Sequence, residues 1–155
     1  KILPDSITYS NLKKELEKAA QSVNVSNSFY NKRVLIIDNI GMLSRLYQYA
    51  DVTYIGGGFN KSGIHNTLEA AVWGKPVVWG PNFQKFREAK GLLAAGGGFT
   101  YTNTEELNGI LDVLLNDETA RRKAGNAAAE YVQQHKGATE KIMAFIQEKR
   151  LLTNP

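Results

Sequence analysis

The sequence predicts an α/β fold, an open doubly wound parallel sheet with helices on both faces and a helical tail at the C-terminal end. Three observations support this class. Short apolar runs alternate with segments of helical periodicity between residues 33 and 101, the loops between them are short, and the last third of the chain is helical throughout. Alternation of this kind is typical of βα units, whose strands lie parallel.

The first elements come from the apolar pattern. "KIL" at residues 1–3 resembles the end of a strand, and residues 11–20 have the spacing of an amphipathic helix, with Ser10 as its predicted N-cap. "SVNV" is a weak strand. "RVLIID" at residues 33–38 is a strong strand, because a nearly continuous apolar run is typical of burial on both faces of a parallel sheet. Residues 42–50 predict a short helix.

The alternation then continues to residue 101. Strands are predicted at 52–56, 76–80 and 98–101, and helices at about 64–73 and 83–95. In the first of these helices, Leu68, Ala71 and Val72 are expected to face the core. The triple glycine at residues 96–98 is expected to form a helix C-cap and a turn. In the tail, Asn103 and Glu106 predict a capping box, and Gly137 is expected to separate the last two helices.

Composition limits the classes of function. The chain of 155 residues, 43% hydrophobic and 22% charged, is long enough for one domain with a real core. It has no cysteine and two histidines, which excludes a thiolate or histidine-rich metal centre. A formal net charge of +4 suits an anionic ligand or a membrane surface, but it falls short of a nucleic-acid-binding signature. No apolar run approaches the roughly 20 residues that span a bilayer.

The candidate site lies in "YIGGGFNKSGIHNTLEAAVWGKPVVWGP", residues 54–81. Gly56, Gly57 and Gly58 follow a predicted strand and precede a predicted helix, at the edge of an α/β sheet where ligands bind. Glycines there allow positive φ and let a phosphate approach main-chain N–H groups. Three glycines also occur in ordinary turns, so the triplet alone leaves both interpretations open.

Two polar residues strengthen the ligand interpretation. Asn66 and Glu69 are three residues apart, on one face of the predicted helix. A carboxylate at this position can accept hydrogen bonds from both vicinal hydroxyls of a ribose, or it can simply stabilise the positive end of the helix dipole by ~0.3–1 kcal/mol. His65 at the predicted helix start, with Lys61 and Ser62 in the loop, could contact an anion or be ordinary loop residues.

A second strand-to-helix loop lies at residues 38–42. Gly41 would let the backbone approach a flat group such as a nucleobase, and Ile40 or Met42 could pack on its face. A plain strand-to-helix turn is the alternative.

These residues carry a resemblance. "LEAAVWGKPVVWGP" resembles the donor-nucleotide segment of the GT-B glycosyltransferases, which have a Rossmann-like C-terminal domain. "IDNIGMLSRLYQYADVTYIGGGF", "SGIHNTLEAA" and "GPNFQKFREAKGL" narrow the resemblance to the 3-deoxy-D-manno-octulosonic acid (Kdo) transferases, which add Kdo from CMP-Kdo to the lipid A precursor of lipopolysaccharide. The similar region runs from Val34 to Tyr101.

The resemblance implies a fragment, residues 1–155, that forms the nucleotide-sugar donor-binding domain of a longer two-domain enzyme; Lys1 in place of an initiating Met agrees with this. It implies that Ile40, Gly41 and Met42 meet the cytosine and that Glu69 holds the ribose hydroxyls. The phosphate and the Kdo would be surrounded by Gly57, Gly58, Ser62, Gly63, His65 and Asn66. It implies no catalytic residue in this fragment, no metal and no cofactor beside the substrate CMP-Kdo.

The resemblance also implies that the missing N-terminal domain contains the catalytic base, the lipid A precursor site and the membrane anchor. The full-length enzyme would then act at the cytoplasmic face of the inner membrane, and the fragment alone would be soluble and inactive. Asp5, at a position where many members have a basic residue or histidine, and Gly63-Ile64, where many have Gly-Gly, depart from the family pattern. Two alternatives stay open. The first is another GT-B enzyme that uses a UDP-sugar, either a transferase or an epimerase. The second is a non-catalytic α/β module.

Overall fold

A computed structural model describes residues 5–20, 29 and 31–149 of the chain. The chain divides into two compact units, residues 1–46 and 47–155. Each unit contains its own parallel sheet, with two strands in the first and three in the second. The expectation of one domain over residues 1–155 stays a prediction.

The first unit pairs two short strands in parallel. Its elements are β1 (Ser6–Thr8), α1 (Tyr9–Ala20), β2 (Val34–Ile36) and α2 (Leu43–Leu46). Ser6 lies opposite Val34 in the register, and the Arg33 guanidinium forms an ion pair of 2.7 Å with the Asp5 carboxylate. The strands predicted at residues 1–3 and 22–25 lie outside the described residues.

Two predictions for this unit were wrong in detail. Helix α1 begins at Tyr9, so Ser10 lies inside its first turn, and Thr8 Oγ1 accepts instead from the Asn11 N–H at 3.3 Å. β2 is not buried on both faces, since Val34 and Leu35 are 36% and 46% exposed. The described elements of this unit, which are β1, α1 and α2, leave these two side chains partly uncovered.

The second unit holds three parallel strands in the order β3-β4-β5. A 3-10 turn at Tyr47–Tyr49 precedes them. The elements that follow are β3 (Thr53–Ile55), α3 (Leu68–Ala71), β4 (Val77–Trp79), α4 (Arg87–Ala95), β5 (Gly98–Thr100), α5 (Thr104–Asn116), α6 (Glu118–His135) and α7 (Ala138–Glu148). Together with β2 of the first unit, these strands and helices follow the predicted alternation, and the predicted α/β class is confirmed.

The core of this unit forms around its central strand. Val77, Val78 and Trp79 of β4 are fully buried, as is Leu92 of α4. Gly98 lies so close to the Trp79 ring that a Cβ there would stand 2.0 Å from it. Helix α6 packs against α3, α4 and α5. Helices α5 and α6 of the tail are therefore part of the folded unit.

Helix α3 is much shorter than predicted. The prediction ran from about residue 64 to 73, but the helix covers only Leu68–Ala71. Ile64 is instead in an antiparallel bridge with Gly57, so the helix does not begin there. Leu68 and Val72, predicted to face the core, are 37% and 51% exposed, whereas Ala71 is buried as predicted.

The predicted caps agree with the structure. Gly96 has a φ of +79° and ends α4, and Gly137 with a φ of +93° separates α6 from α7. Asn103 Oδ1 accepts from the Glu106 N–H at 2.9 Å. The Glu106 carboxylate accepts from the Thr102 N–H at 2.7 Å, one residue earlier than a capping box would place it. That backbone hydrogen bond is the main cause that lowers the pKa of Glu106.

Candidate functional site

Two loops meet at the carboxyl edge of the three-stranded sheet. Because β3 and β4 are parallel neighbours, the loops that follow them, residues 56–67 and 80–86, leave the sheet at one edge. The Asn82 N–H donates to the Gly58 carbonyl at 2.9 Å, and Asn82 Nδ2 donates to the Asn60 carbonyl at 3.2 Å. These bonds fix the second loop against the first, so the edge has a defined shape.

The glycines of the first loop are required by close packing. Gly57, Gly58 and Gly63 all have φ between +84° and +88°. A Cβ on Gly57 would stand 2.3 Å from the Gly63 carbonyl oxygen, and one on Gly58 would stand 2.7 Å from Gly80 Cα. A side chain at either position would strain the backbone; at Gly57 it would also disrupt the first loop, and at Gly58 it would push the two loops apart.

Part of the glycine backbone is already hydrogen-bonded. The Gly58 N–H donates to the Gly63 carbonyl at 2.7 Å, and the Gly63 N–H donates to the Asn60 carbonyl at 3.3 Å. In this conformation these two N–H groups serve the loop itself. Protein atoms also stand where the Cβ atoms of Gly58 and Gly63 would lie, so these two glycines allow the loops to pack closely.

Asn66 and Glu69 are brought together, as their spacing predicts. Asn66 Nδ2 donates to Glu69 Oε1 at 3.1 Å, and Asn66 Oδ1 accepts from the Leu68 N–H at 3.0 Å. Thr67 is the N-cap by position, but its side chain makes no capping hydrogen bond. Asn66 thus supplies the cap of α3 and also holds one oxygen of the Glu69 carboxylate. Glu69 Oε2 accepts no hydrogen bond from the residues that the structure describes.

Tyr47 is a neighbour of this carboxylate that the sequence did not reveal. It lies in the 3-10 turn, whose residues contact α3, and it packs against the buried core. Burial raises the pKa of the Tyr47 hydroxyl, and the negative charge of Glu69 raises it further. Glu69 is half-buried and is in electrostatic contact with a neutral phenol as well as with the Asn66 amide.

His65 and Ser62 are exposed, and both are anchored through their backbones. The His65 N–H donates to the Gly56 carbonyl at 3.1 Å, and the Ser62 N–H donates to Asn60 Oδ1 at 3.0 Å. His65 lies three residues before α3, so its predicted position at the helix start was wrong. The dipole of a four-residue helix does not reach it.

The three residues predicted to meet a nucleobase lie in the first unit, between β2 and α2. Ile40 is fully exposed, and Gly41 has a φ of +93° with open space where a Cβ would stand. Met42 is half-buried, and its sulfur accepts from Asn39 Nδ2 at 2.9 Å. This turn therefore presents an exposed apolar side chain beside bare backbone.

Asp38 fixes the start of this turn to helix α1. Its Oδ1 accepts from the Ser10 N–H at 3.0 Å and its Oδ2 accepts from the Ser10 hydroxyl at 2.5 Å. These hydrogen bonds, the side-chain one first, lower the pKa of Asp38. Ser10 therefore binds the Asp38 carboxylate and does not act as the predicted N-cap of α1.

Sequence reasoning missed three residues that shape the edge. Asn60 and Asn82 join the two loops, and the Phe86 ring packs on Gly63, where a Cβ would stand 2.5 Å from it. The available signal was that Asn82 and Phe86 follow a buried strand, where binding loops occur. Among residues 5–20, 29 and 31–149, no cluster of three acidic or histidine side chains could hold a metal ion.

The fold and this edge define a class, an α/β domain of the Rossmann type with a glycine loop and an acidic residue at the carboxyl ends of its strands. A solved structure, described as the C-terminal CMP-Kdo binding domain of WaaA from Acinetobacter baumannii, superposes with a TM-score of 0.59 at 23% identity, over 83% of this chain and 61% of that one. This likeness supports the fold.

Sequence comparison identifies the relatives. The 3-deoxy-D-manno-octulosonic acid transferase of Aquifex aeolicus is 35% identical over 124 residues, which are 70% of this chain and 35% of that protein. The transferase of the same description from Haemophilus influenzae is 29% identical over 118 residues, 75% of this chain and 28% of that protein. The resemblance to the Kdo transferases is confirmed.

The chain spans about a third of the length of these curated relatives. No protein-family model matches it. None of the helices in the described part of the chain has the length and hydropathy needed to cross a membrane.

Proposed function

We propose that this chain is the donor-binding domain of a Kdo transferase and that it binds CMP-Kdo at the carboxyl edge of its strands. Similarity to several Kdo transferases over about three quarters of the chain supports this function. The observation that carries it is the Glu69 carboxylate, which Asn66 orients through one oxygen while the other accepts no hydrogen bond from the described residues.

In this proposal Glu69 binds the ribose. A carboxylate has acceptor sites for both vicinal hydroxyls of a ribose, and hydrogen bonds to a charged group contribute ~1.5–3 kcal/mol each. The hydrogen bond from Asn66 lowers the freedom of Glu69 before the ligand arrives, which reduces the entropy lost on binding. Ile40, Gly41 and Met42 would meet the cytosine.

The phosphate and the sugar would lie along the glycine loop. Gly57, Gly58 and Gly63 would shape the surface by letting the loops pack closely. Ser62, His65 and Asn66 offer side-chain hydrogen-bond donors. Transfer of the sugar breaks its bond to the phosphate and forms a bond to an acceptor hydroxyl, so CMP leaves. The domain's part in that reaction is to hold the donor and to stabilise the phosphate that departs.

Binding of the acceptor is proposed for the full-length protein only. We expect the lipid A precursor, the catalytic base and the membrane contact at the cytoplasmic face of the inner membrane to involve sequence beyond these 155 residues. Because transfer needs a base positioned against the acceptor hydroxyl as well as a bound donor, the chain alone is expected to bind donor without transferring Kdo.

Calorimetry with CMP and UMP tests the proposal. The two nucleotides share ribose and phosphate and differ in the base, so a preference for CMP of about tenfold or more identifies a cytidine site. Equal affinity for both, or preference for UMP, would assign the edge to another GT-B enzyme. No heat with either nucleotide would reject a donor-binding role, provided that circular dichroism shows a folded chain.

A further inference from the structure

A cavity of about 370 Å³ opens at the meeting of the two loops. Its walls are formed by polar and glycine residues, namely Asn60, Lys61, Gly63, Asn82, Gln84 and Lys85. The volume is within the roughly 300–1,000 Å³ of small-molecule sites. Of the residues proposed for the donor, only Gly63 lines it, so the cavity extends past the nucleotide contacts.

The walls of this cavity are held by hydrogen bonds of the loops. Asn82 donates from Nδ2 to the Asn60 carbonyl at 3.2 Å, and Asn60 Oδ1 accepts from the Ser62 N–H at 3.0 Å. Gly63 packs on the Phe86 ring at the inner side. The backbone that carries the two lysines is therefore ordered before any ligand binds.

The cavity is positively charged. Residues 56–67 and 80–86 include Lys61 and Lys85 but no aspartate or glutamate. Neither lysine forms an ion pair with a residue in the part of the chain that the structure describes. Two ammonium groups around one concave surface, without an acid between them, create a local potential that attracts an anion.

We propose that Lys61 and Lys85 bind the carboxylate of the donor's sugar acid in this cavity, with the Gln84 amide as a further donor. The inference rests on the proposed function, since Kdo is an acid whose carboxylate CMP lacks. A carboxylate has two oxygens, each able to accept from a separate ammonium group. The cavity adjoins Gly63, where the sugar would leave the phosphate. It would thus select a sugar acid over a neutral sugar.

The test uses amide NMR titrations of the 155-residue chain with free Kdo and, separately, with inorganic phosphate at constant ionic strength. Kdo should shift the amides of residues 60–63 and 83–85. Lys61→Gln and Lys85→Gln should each weaken this binding roughly three- to fivefold, and Lys61→Arg should retain most of it. Lys75→Gln is the matched control, because Lys75 precedes β4 at the opposite edge of the sheet and its loss should leave Kdo affinity unchanged.

Three results would overturn the proposal. Kdo could fail to shift these amides, phosphate could bind through the two lysines where Kdo does not, or Lys75→Gln could weaken Kdo binding as much as Lys61→Gln does. A CMP titration separates this inference from the proposed function. If the wild-type chain does not bind CMP, the proposed function is rejected but the Kdo result remains valid. If both lysine variants weaken CMP binding, the lysines contact the nucleotide phosphate instead of the sugar carboxylate.

Discussion

Asn66 and Glu69 form a hydrogen-bonded pair at the carboxyl edge of the sheet, with Asn66 Nδ2 donating to Glu69 Oε1 at 3.1 Å. The same asparagine caps α3 by accepting from the Leu68 N–H. One side chain therefore serves the stability of a helix and the orientation of a proposed ligand contact, and substitutions can separate the two roles.

Asn66→Asp should keep the cap and lose the pair. The new carboxylate still accepts from the Leu68 N–H, but it donates nothing to Glu69 and repels it. We expect a melting temperature close to that of the wild type and CMP affinity reduced several-fold. Asn66→Ala should lower affinity too, and should also cost ~0.5–2 kcal/mol of unfolding free energy through the lost cap. Equal stability losses for both variants in chemical denaturation would contradict this separation.

The glycine loop allows a matched pair of stability measurements. Gly58 and Gly96 both have positive φ, but a Cβ on Gly96 would meet nothing within 4 Å, whereas one on Gly58 would clash with Gly80. Gly96→Ala should cost ~1–2 kcal/mol for backbone strain alone. Gly58→Ala should cost ~1–3 kcal/mol more because the second loop must move. Urea denaturation gives both values, and equal costs would mean that the two loops are not packed as described.

The glycines also show which structural features local sequence patterns predict and which they do not. The strand after residue 52, its glycine-rich exit and the caps at Gly96 and Gly137 followed from local pattern and turn chemistry. The length of α3 did not, because the bridge between Gly57 and Ile64 depends on a hydrogen-bonding partner seven residues away. Local periodicity continued the helix where tertiary contacts end it.

Site residues were predictable only by type. The Asn66–Glu69 pair follows from helical spacing. The electrostatic influence of Glu69 on Tyr47 does not, because Tyr47 lies more than 20 residues earlier in the chain. The cavity at Lys61 and Lys85 depends on two loops that become neighbours only when β3 and β4 pair. The exposure of Val34 and Leu35 could not be predicted from the sequence either, because an apolar run does not specify which other residues will cover it.

A tyrosine pair on the sheet predicts alkaline behaviour. Burial, and then the hydrogen bond with the Tyr54 hydroxyl at 2.6 Å, raise the pKa of Tyr101 to about 12 from 10.0. Because the folded-state pKa is raised, the stability that the neutral phenol contributes is complete below pH 10 and is lost as pH rises toward 12. Ultraviolet titration of phenolate absorbance should show one group ionising near 12 that Tyr101→Phe removes. Its persistence in that variant would contradict the assignment.

Acid should act on the first unit through Asp38. Its pKa is lowered by the hydrogen bonds from Ser10, so the stability it contributes is present above the ordinary value of 3.8 and is lost as pH falls through the lower folded-state value. The Ser10 amide resonance should therefore titrate with a midpoint below 3.8. In Ser10→Ala, which lacks the hydroxyl that is the largest cause, the Asp38 carboxyl resonance should titrate at higher pH. An unchanged midpoint would show that the serine does not hold this carboxylate.

The central claim is that Glu69 binds the ribose of a cytidine nucleotide, and a double-mutant cycle tests it most directly. Calorimetry would give the affinities of wild-type and Glu69→Ala chains for CMP and 2′-deoxy-CMP. We expect Glu69→Ala to weaken CMP binding by about tenfold or more, because hydrogen bonds to a charged group contribute ~1.5–3 kcal/mol each. Removing the 2′-hydroxyl should cost the wild type several-fold in affinity and cost Glu69→Ala almost nothing, since the partner is already absent. Losses that simply add would contradict the account and leave Glu69 as an acid at a helix end.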